Sequence, residues 1–429
     1  MNTLSQKRQA GVLLHPTSLP GRGYSGNFGA DARRFVDLVA GAGLQIWQVL
    51  PLGPTYSDGC PYQCVSVHAG NPDLIDLESL VQQGWLSAQQ AQAGEAGRRQ
   101  KRAALDSASD AFFNLVETAG DHAMVAAYQQ FLQDAAFWLE DYVRFQAFRD
   151  AQQHRPWTQW PAGLRDCDST ACDQRARELS REISRLRFRQ FVFHCQWHDL
   201  RRYANERGVA LFGDLPIYVH MESADVWAHQ DQFQLGATGR PLAVSGVPPD
   251  YFSAEGQLWG NPLYDWPRMQ DTGFSWWLQR FASAARQFDI VRIDHFRALE
   301  AYWEVPADAV TARAGHWVPA PGRELLQLVR QHFPELRLVA ENLGTISAEV
   351  EALRHEFDLP GMLIMQFAFD GNPDNPYLSH RHSVDDIVYT GTHDNDTTLG
   401  WFESLDDAVK GKVYAYFNNP RDGMPWMLN

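Results

Sequence analysis

The sequence predicts an α/β fold: a (β/α)8 barrel, or TIM barrel, with helical subdomain insertions on its C-terminal rim. Three observations predict this fold. Short apolar stretches recur along the 429 residues, stretches of helical periodicity separate them, and several of the apolar stretches end in acidic residues. In such barrels parallel strands alternate with helices, and the functional side chains lie where the strands end.

Seven barrel strands can be located in the sequence. The first two are predicted at residues 11–15 and 44–50, with a helix over residues 31–42 between them. The other five are predicted at residues 209–218, around Ile290, around Leu338, at residues 362–369 and around Ile387. An eighth strand is not recognisable before Asn429, although a closed barrel needs one to avoid two unpaired sheet edges. We therefore expect a C-terminally truncated chain, with low stability and weak or absent activity in this form.

Two insertions interrupt the barrel. Residues 1–72 are assigned to strands one and two, residues 73–207 to an inserted helical subdomain, and residues 208–429 to strands three to seven. The subdomain has a stripe of residues at alternating spacings of three and four, which predicts a buried helix face: Tyr128, Phe131, Ala135, Trp138, Tyr142 and Phe145. Residues 163–173 are interpreted as a loop within it.

A rim insertion is predicted at about residues 245–266, which are dense in Gly, Pro and aromatic residues. Long ordered loops on the C-terminal rim are usually functional. Part of a groove wall is therefore assigned to Asp250, Tyr251, Phe252, Gln257, Trp259 and Asn261. An inert loop stiffened by Gly and Pro is the alternative.

The most informative segment covers residues 288–297, FDIVRIDHFR. Because strand side chains alternate, Arg292 and Asp294 lie on one face, and Val291 and Ile293 lie on the other. The charged face then points into the barrel, where an unpaired charge is very costly. Taken alone, the two residues fit a buried structural ion pair as well as a catalytic site.

Two later strands have the same layout. Residues 336–344 include Glu341 at the strand end, and residues 387–396 include His393 and Asp394. Carboxylates that follow successive parallel strands converge on one rim of a barrel. Three carboxylates with an Arg and a His, and no thiol or hydroxyl nucleophile motif, favour glycosidic bond cleavage, in which one carboxylate attacks and a protonated one assists the leaving oxygen.

The two catalytic carboxylates need opposite charge states. Arg292 is expected to hydrogen-bond Asp294 and keep it ionised, because an adjacent cation lowers a carboxyl pKa. An apolar strand and nearby negative charge are expected to raise the pKa of Glu341, so that it carries a proton near neutral pH.

The chain resembles the amylomaltases, which are 4-α-glucanotransferases of the wider α-amylase clan. The motifs that carry the resemblance run in order along almost the whole chain: GVLLHPTSLP (11–20), QIWQVLPLGP (45–54), PYQ (61–63), GDLPIYV (213–219), GVPPDYF (246–252), GQLWGNPLY (256–264), VRIDHFR (291–297), AENLG (340–344) and GTHDNDTT (391–398). The resemblance implies transfer of α-1,4-glucan segments from a donor maltooligosaccharide to the 4-hydroxyl of an acceptor glucan or glucose, by a retaining double displacement.

The resemblance also implies a role for individual residues. Asp294 is the nucleophile, Glu341 is the general acid/base, and Asp394 grips the sugar hydroxyls and helps to distort the ring. Four more residues are assigned to the same sugar: Arg292 and His393 bond it, Tyr62 stacks on it, and Asp214 supports the site from the third strand.

Composition fits an enzyme with a neutral substrate. A formal charge of −15 and a pI near 5.4 disfavour nucleic acid and anionic membranes as partners. Fifteen Trp and fourteen Tyr suit sugar rings, although most of them are expected in the core. The expected partners are maltooligosaccharides and glucans derived from starch or glycogen. Residues 1–8 are polar and no run is long enough to span a bilayer, so a cytoplasmic location is predicted.

No cofactor, metal or disulfide framework is expected from the five cysteines. Cys60, Cys64 and His68 form a Cys-x3-Cys-x3-His pattern, but zinc would need a fourth ligand or an open position in a turn assigned to the substrate. Members of the family that this chain resembles commonly carry serines at Cys60 and Cys64. Two small residues in serine-sized spaces are therefore favoured over a reactive thiol pair.

Two alternative functions remain at this point. An α-amylase-type hydrolase would bring calcium ligands and a C-terminal β-sandwich, for which this chain has no room. A non-catalytic glucan-binding protein would be a degenerate or truncated relative. The presence of Asp294, Glu341 and Asp394 counts against degeneration.

Overall fold

The computed structural model describes residues 8–21, 23–118, 122–249 and 253–418. The chain divides into two compact units. Among the described residues, the larger unit comprises those between Gln9 and Val291 and between Ala298 and Leu336, and the smaller unit comprises Arg8, Arg292–Arg297 and residues 337–418.

The described residues contain short strands and α-helices, and most of the helices are longer than the strands. The strands are β1 (Gly11–Leu13), β2 (Ile46–Gln48), β3 (Ala210–Leu215), β4 (Ala243–Val247), β5 (Gln257–Pro262), β6 (Ile290–Ile293), β7 (Ala301–Pro306), β8 (His316–Pro319), β9 (Arg337–Ala340), β10 (Gly361–Ile364) and β11 (Asp386–Tyr389). The helices are α1 (Ala30–Gly41), α2 (Leu77–Gln82), α3 (Ala88–Gly94), α4 (Arg98–Thr118), α5 (Ala123–Asp134), α6 (Leu139–Ala151), α7 (Ala162–Arg165), α8 (Ser169–Glu178), α9 (Ser180–Asn205), α10 (Ala224–Ala228), α11 (Trp266–Asp271), α12 (Ser275–Gln287), α13 (Gly322–His332), α14 (Ala348–Glu356), α15 (Thr398–Ser404) and α16 (Asp407–Tyr416).

The predicted barrel strands correspond to β1, β2, β3, β6, β9, β10 and β11. In the larger unit β1, β2 and β3 are parallel neighbours, with Ile46 opposite both Gly11 and Ala210. The start of β6 lies beside β3, because the amide of Asp289 donates to the carbonyl of Leu211 at 2.9 Å. Helices follow β1, β2 and β3 in the same unit, which gives the strand and helix alternation expected of this fold class.

The smaller unit continues the parallel arrangement. The amide of Glu341 donates to the carbonyl of Ile293 at 3.0 Å, which places the ends of β6 and β9 side by side. The amide of Ala340 donates to Pro360 at 2.9 Å, just before β10, and β10 pairs with β11 in parallel. The C-terminal ends of these strands therefore lie along one edge. A separate apolar cluster lies further along the unit: Ala368, Phe369, Leu378, Phe402 and Val413.

An antiparallel sheet in the order β5-β4-β7-β8 was not predicted. The interpretation of residues 245–266 as a loop is wrong in part, because β4 ends and β5 lies within them. Ser245 of β4 lies opposite Glu304 of β7, and Trp303 of β7 lies opposite Trp317 of β8. The sheet is therefore completed by strands that lie later in the chain than the predicted rim insertion. The two tryptophan rings pack edge to face with their centroids 5.0 Å apart. These pairings make the region a sheet despite its Gly and Pro content.

Helices α2 to α9 lie within residues 77–205. The predicted aromatic stripe is buried or half-buried, but two helices carry it, because α5 ends at Asp134 and α6 begins at Leu139. The loop predicted at residues 163–173 is wrong in part. The side chain of Asp168 accepts from the amide of Ala171 and so caps α8 inside that range. That residues 73–207 form a subdomain stays a prediction.

Helix α9 holds the chain segment that precedes α2. The buried amide of Gln190 accepts from the backbone N–H of Gly70 at 2.7 Å and donates to its carbonyl at 2.9 Å. Gln196 makes the same pair of bonds to Asp76, at 2.7 and 3.0 Å. A Cβ atom at position 70 would lie 2.0 Å from the ring of Phe193, so only glycine fits there. The irregular backbone of this segment thus obtains its partners from the helix.

No helix in residues 8–21, 23–118, 122–249 or 253–418 has the length and apolar character needed to cross a membrane.

Replacement of Gln190 by methionine should lower the free energy of unfolding by about 3 kcal/mol, because it keeps the volume and leaves two buried backbone groups of Gly70 unpaired. Urea titration followed by tryptophan fluorescence measures this change. The control is Gln129→Met, which alters an exposed glutamine of α5. Equal unfolding midpoints for the two variants would contradict the role of the Gln190 bonds.

Candidate active site

Three acidic residues lie at the C-terminal edge of the strands of the smaller unit. Asp294 directly follows β6, Glu341 directly follows β9, and Asp394 lies five residues beyond β11. Because β6, β9, β10 and β11 lie side by side, these residues share one edge. The structure thereby brings together the residues assigned to the catalytic roles, within one unit.

Arg292 pairs with Asp294. Its Nη2 lies 2.9 Å from Oδ1 of Asp294, and the arginine side chain is only 5% exposed, compared with 24% for the aspartate. The pair lies on one face of β6 as the strand alternation predicts. A guanidinium in contact with a partly accessible carboxylate favours its ionised form, which is the form of a nucleophile.

Glu341 is joined to the end of β6 through both its backbone and its side chain. Its carbonyl accepts from the amide of Phe296 at 3.1 Å. Its carboxylate accepts from the amide of His295 at 2.8 Å and from the amide of Leu343 at 2.7 Å. The residue is 8% exposed, so these bonds offset part of the cost of burying a carboxylate. Its position relative to Asp294 is consequently fixed by backbone.

His295 has an unusual backbone conformation. Its φ of 47° lies in the left-handed region, which residues other than glycine and asparagine rarely adopt. The conformation points the N–H of His295 at Glu341, and such strain is typical of functional sites. Burial, followed by Arg297 and Arg292, lowers the pKa of His295 to about 3, so the imidazole is neutral at neutral pH. His295 was not among the predicted site residues.

Asn342 is a second residue that the sequence interpretation missed. Its side chain donates to Oε1 of Glu351 in α14 at 2.8 Å and accepts from the amide of Met362 in β10 at 2.8 Å. It therefore fixes the turn after Glu341 to the next helix and the next strand. The sequence did offer one indication of this role: Asn342 directly follows the acidic residue at the strand end, where a side-chain amide can bond a neighbouring strand.

His393 and Asp394 lie in the turn after β11. Nε2 of His393 is 3.3 Å from Oδ1 of Asp394. The aspartate side chain is 70% exposed and the histidine side chain 18% exposed. Oγ1 of Thr392 accepts from the amide of Asp394 at 3.3 Å and orders the turn. Asp394 is thus the most accessible of the three carboxylates and suits contact with hydroxyl groups of a ligand.

The larger unit holds the predicted residues Tyr62 and Asp214. The hydroxyl of Tyr62 donates to Oδ2 of Asp214 at 2.5 Å, and Asp214, at the end of β3, is 7% exposed. Gly213 permits this strand end to pack closely, because a Cβ atom there would lie 2.2 Å from the ring of Phe288. Asp214 therefore fixes the position of the Tyr62 ring through this hydrogen bond.

The predicted groove residues Gln257, Trp259 and Asn261 all lie on β5. Trp259 is 36% exposed, and its indole N–H donates to the side chain of Gln257 at 3.1 Å. Asn261 donates to the carbonyl of Val219 at 3.0 Å and accepts from the hydroxyl of Ser245 at 3.3 Å. Asn261 thus supports the sheet, and Trp259 offers an accessible ring. Three predicted groove residues lie outside the described residues: Asp250, Tyr251 and Phe252.

No three His, Cys, Asp or Glu side chains are grouped to hold a metal ion in the part of the chain that the structure describes.

A partly exposed carboxylate paired with a guanidinium and a buried carboxylate held by backbone amides lie on one strand edge, as in enzymes that act on glycosidic bonds by acid/base and nucleophilic chemistry. Comparison with known proteins identifies the family. The sequence pattern described as 4-alpha-glucanotransferase matches residues 14–427. The chain belongs to this family.

Individual relatives agree with this assignment. The 4-alpha-glucanotransferases of Thermus thermophilus and of Synechocystis are each 43% identical to this chain, over 98% of this chain and 86% of the relative. The amylomaltase of Streptococcus agalactiae, solved in complex with acarbose, superposes with a TM-score of 0.92 at 35% identity, over 97% of this chain and 86% of that one. The predicted α/β barrel fold class is thereby confirmed.

Two substitutions of His295 separate its backbone from its side chain. Asn tolerates a positive φ and Val does not, so His295→Val should release the N–H from Glu341 at a cost of about 1–3 kcal/mol. We expect His295→Asn to keep at least about tenfold higher kcat than His295→Val. Steady-state transfer assays with maltotriose measure this. Equal kcat values for the two variants would show that the left-handed backbone has no part in the reaction.

Proposed function

We propose that this chain transfers α-1,4-glucan segments from a donor maltooligosaccharide to the 4-hydroxyl of an acceptor glucan or glucose, with Asp294 as nucleophile and Glu341 as general acid/base. The observation that carries the proposal is the joined end of β6 and β9, where Arg292 contacts Asp294 and backbone amides hold Glu341. A retaining reaction needs this pair of carboxylates in two charge states.

In the first step Asp294 attacks the anomeric carbon of the donor. A bond forms between its carboxylate oxygen and C1, the bond from C1 to the leaving oxygen breaks, and Glu341 gives its proton to that oxygen. The positive charge of Arg292 keeps Asp294 ionised before the attack. The product is a covalent β-glucosyl-enzyme and a shortened glucan.

Glu341 must hold a proton in the first step and lose it in the second. A carboxylate offers about four lone-pair positions, and the amides of His295 and Leu343 occupy one on each oxygen. The two amides fix the group in both charge states, so that the same oxygen is available as acid and then as base.

In the second step Glu341 removes the proton from the 4-hydroxyl of an acceptor. The acceptor oxygen attacks C1, and the carboxylate of Asp294 departs. Two inversions give overall retention. Water in place of the acceptor would give hydrolysis, so transfer depends on aromatic acceptor sites that exclude water; Trp259, with its accessible ring, fits such a site.

The remaining assignments come from the family resemblance, and the contacts and accessibility of the side chains support them. Asp394, with an exposed carboxylate beside His393, would bind sugar hydroxyls, and Tyr62, fixed by Asp214, would stack on the ring. Asp250 is assigned to the groove wall by sequence alone. We expect the natural substrates to be maltooligosaccharides and glucans derived from starch or glycogen, with no nucleic-acid or membrane partner, and the enzyme to be cytoplasmic.

Maltotriose alone as substrate tests the reaction type. A transferase releases glucose and forms maltodextrins longer than the substrate, because each glucosyl-enzyme is captured by another sugar. A hydrolase gives only shorter products. We expect longer products in chromatograms of the reaction; a product mixture without them would contradict the proposal.

Asp294→Asn and Glu341→Gln test the two roles. Each should lower kcat for maltotriose by roughly 10³-fold or more, because each removes a group that acts in the transition state. With α-glucosyl fluoride, whose leaving group needs no proton, Glu341→Gln should still form the covalent intermediate, since only its breakdown needs the base. Mass spectrometry of the intact protein should detect one added glucosyl unit in Glu341→Gln and none in Asp294→Asn.

Glu403→Gln, which alters an exposed carboxylate of α15, is the matched control and should keep the rate of the unmodified chain. A glucosyl adduct on Asp294→Asn, or near-normal transfer by either variant, would refute the assignment of roles.

A further inference from the structure

The segment that carries Tyr62 has no regular secondary structure. Between the end of β2 at Gln48 and a 3-10 helix that begins at Pro72, it contains an isolated bridge between Thr55 and Cys64. Such a segment takes its conformation from hydrogen bonds to surrounding elements. A tyrosine that stacks on a sugar needs a fixed ring, so these bonds bear on the reaction.

The start of α10 holds the segment three to five residues after Tyr62. The amide of Ala224 donates to the carbonyl of Val65 at 2.8 Å. The amide of Val67 donates to Oδ2 of Asp225 at 3.0 Å. Asp225 is buried, with 3% of its side chain exposed. One side of the segment is therefore attached to a helix by a backbone bond and a carboxylate bond.

His68 attaches the end of the segment to a different helix. Its Nδ1 lies 2.8 Å from the hydroxyl oxygen of Ser283 in α12, and both residues are buried. Its ring stacks on Trp138, with centroids 6.2 Å apart, and meets Phe137 edge to face at 5.5 Å. The imidazole is thus fixed in direction by a hydrogen bond and in plane by two aromatic rings.

The charge state of His68 determines its bonds. Burial, followed by Arg280 and His229, lowers the pKa of His68 to about 3, so the ring is neutral and has one donor and one acceptor nitrogen. Nε2 lies 3.8 Å from Oδ1 of Asp225. A proton on Nε2 would therefore face a carboxylate, and Nδ1 would accept from the hydroxyl of Ser283. Ser283 thus bonds His68, and Asp225 bonds the amide of Val67, so that α12 and α10 each hold the segment.

We propose that His68 is a positioning residue for the transfer reaction: with Ser283 and Asp225 it fixes residues 60–68 in the conformation in which Tyr62 contacts the sugar. The proposal rests on the proposed stacking role of Tyr62. His68 does not touch the substrate in this scheme. It contributes to binding of the donor. Without it the segment would be mobile and would have to be ordered each time Tyr62 contacts a sugar, which weakens binding.

The experiment compares KM and kcat for maltotriose in Ser283→Ala and His68→Phe. Ser283→Ala removes one oxygen atom, and His68→Phe keeps a ring against Trp138 but removes Nδ1. We expect each variant to raise KM roughly fivefold, which is the change in affinity for a lost hydrogen bond of about 1 kcal/mol, with kcat within about twofold of the unmodified chain. Ser283→Thr, which keeps the hydroxyl, should restore KM. Ser275→Ala, at an exposed position of the same helix, should leave KM and kcat unchanged.

The double variant separates positioning from stability. Removal of both partners leaves neither polar atom of the His68–Ser283 bond unpaired, so part of the melting temperature lost in each single variant should recover. KM should stay raised, and by no more than in a single variant, because the two residues act through one bond. Unchanged KM in Ser283→Ala, additive effects in the double variant, or a KM that recovers together with the melting temperature would each overturn the proposal. Ser283→Ala decides the matter if His68→Phe does not fold.

Tyr62→Ala distinguishes the two levels of the proposal. If this variant leaves KM unchanged, the stacking role of Tyr62 is wrong and the positioning role of His68 falls with it. If Tyr62→Ala raises KM and Ser283→Ala does not, only the positioning role is overturned.

Discussion

The hydrogen bonds of Glu341 to the end of β6 are the constraint on which the acidic edge depends. Its amide and carbonyl bond Ile293 and Phe296, and its carboxylate accepts from His295 and Leu343. The same residue therefore joins two strands and carries the carboxylate proposed as the general acid/base. A carboxylate fixed by backbone at a strand end needs little rearrangement when charge develops during the reaction. The position of the Glu341 carboxylate is therefore set by the backbone at the strand ends.

Several parts of the molecule that lack regular structure are held by side-chain amides and buried polar groups. Gln190 and Gln196 each bond both backbone groups of a residue in the segment before α2. Asn342 similarly bonds Glu351 and the amide of Met362, and so fixes the turn after β9. An amide carries a donor and an acceptor close together, so it can satisfy a backbone N–H and C=O that no strand pairs. These residues have no proposed part in the reaction, yet they fix the backbone around them.

The sequence predicts the barrel strands and the acidic residues because both leave local signals. Apolar strands that end in carboxylates need no knowledge of distant contacts. The antiparallel sheet of β4, β5, β7 and β8 was missed, since its strands are stable only through partners far along the chain and β5 is mostly exposed. The left-handed backbone of His295 was missed because histidine, unlike glycine, gives no indication of positive φ. Likewise, nothing local distinguishes Gln190 from an exposed glutamine.

The bonds between α9 and the segment before α2 also constrain the order of events in folding. Gly70 and Gln190 are 120 residues apart, as are Asp76 and Gln196. The chain must close a long loop before either glutamine can meet its backbone partner, and such closure is entropically unfavourable until helices α2 to α9 pack. The backbone at Gly70 and Asp76 can therefore acquire its final order only after α9 has docked. Local unfolding that detaches α9 would abolish this order, because the partners of both residues lie on that helix.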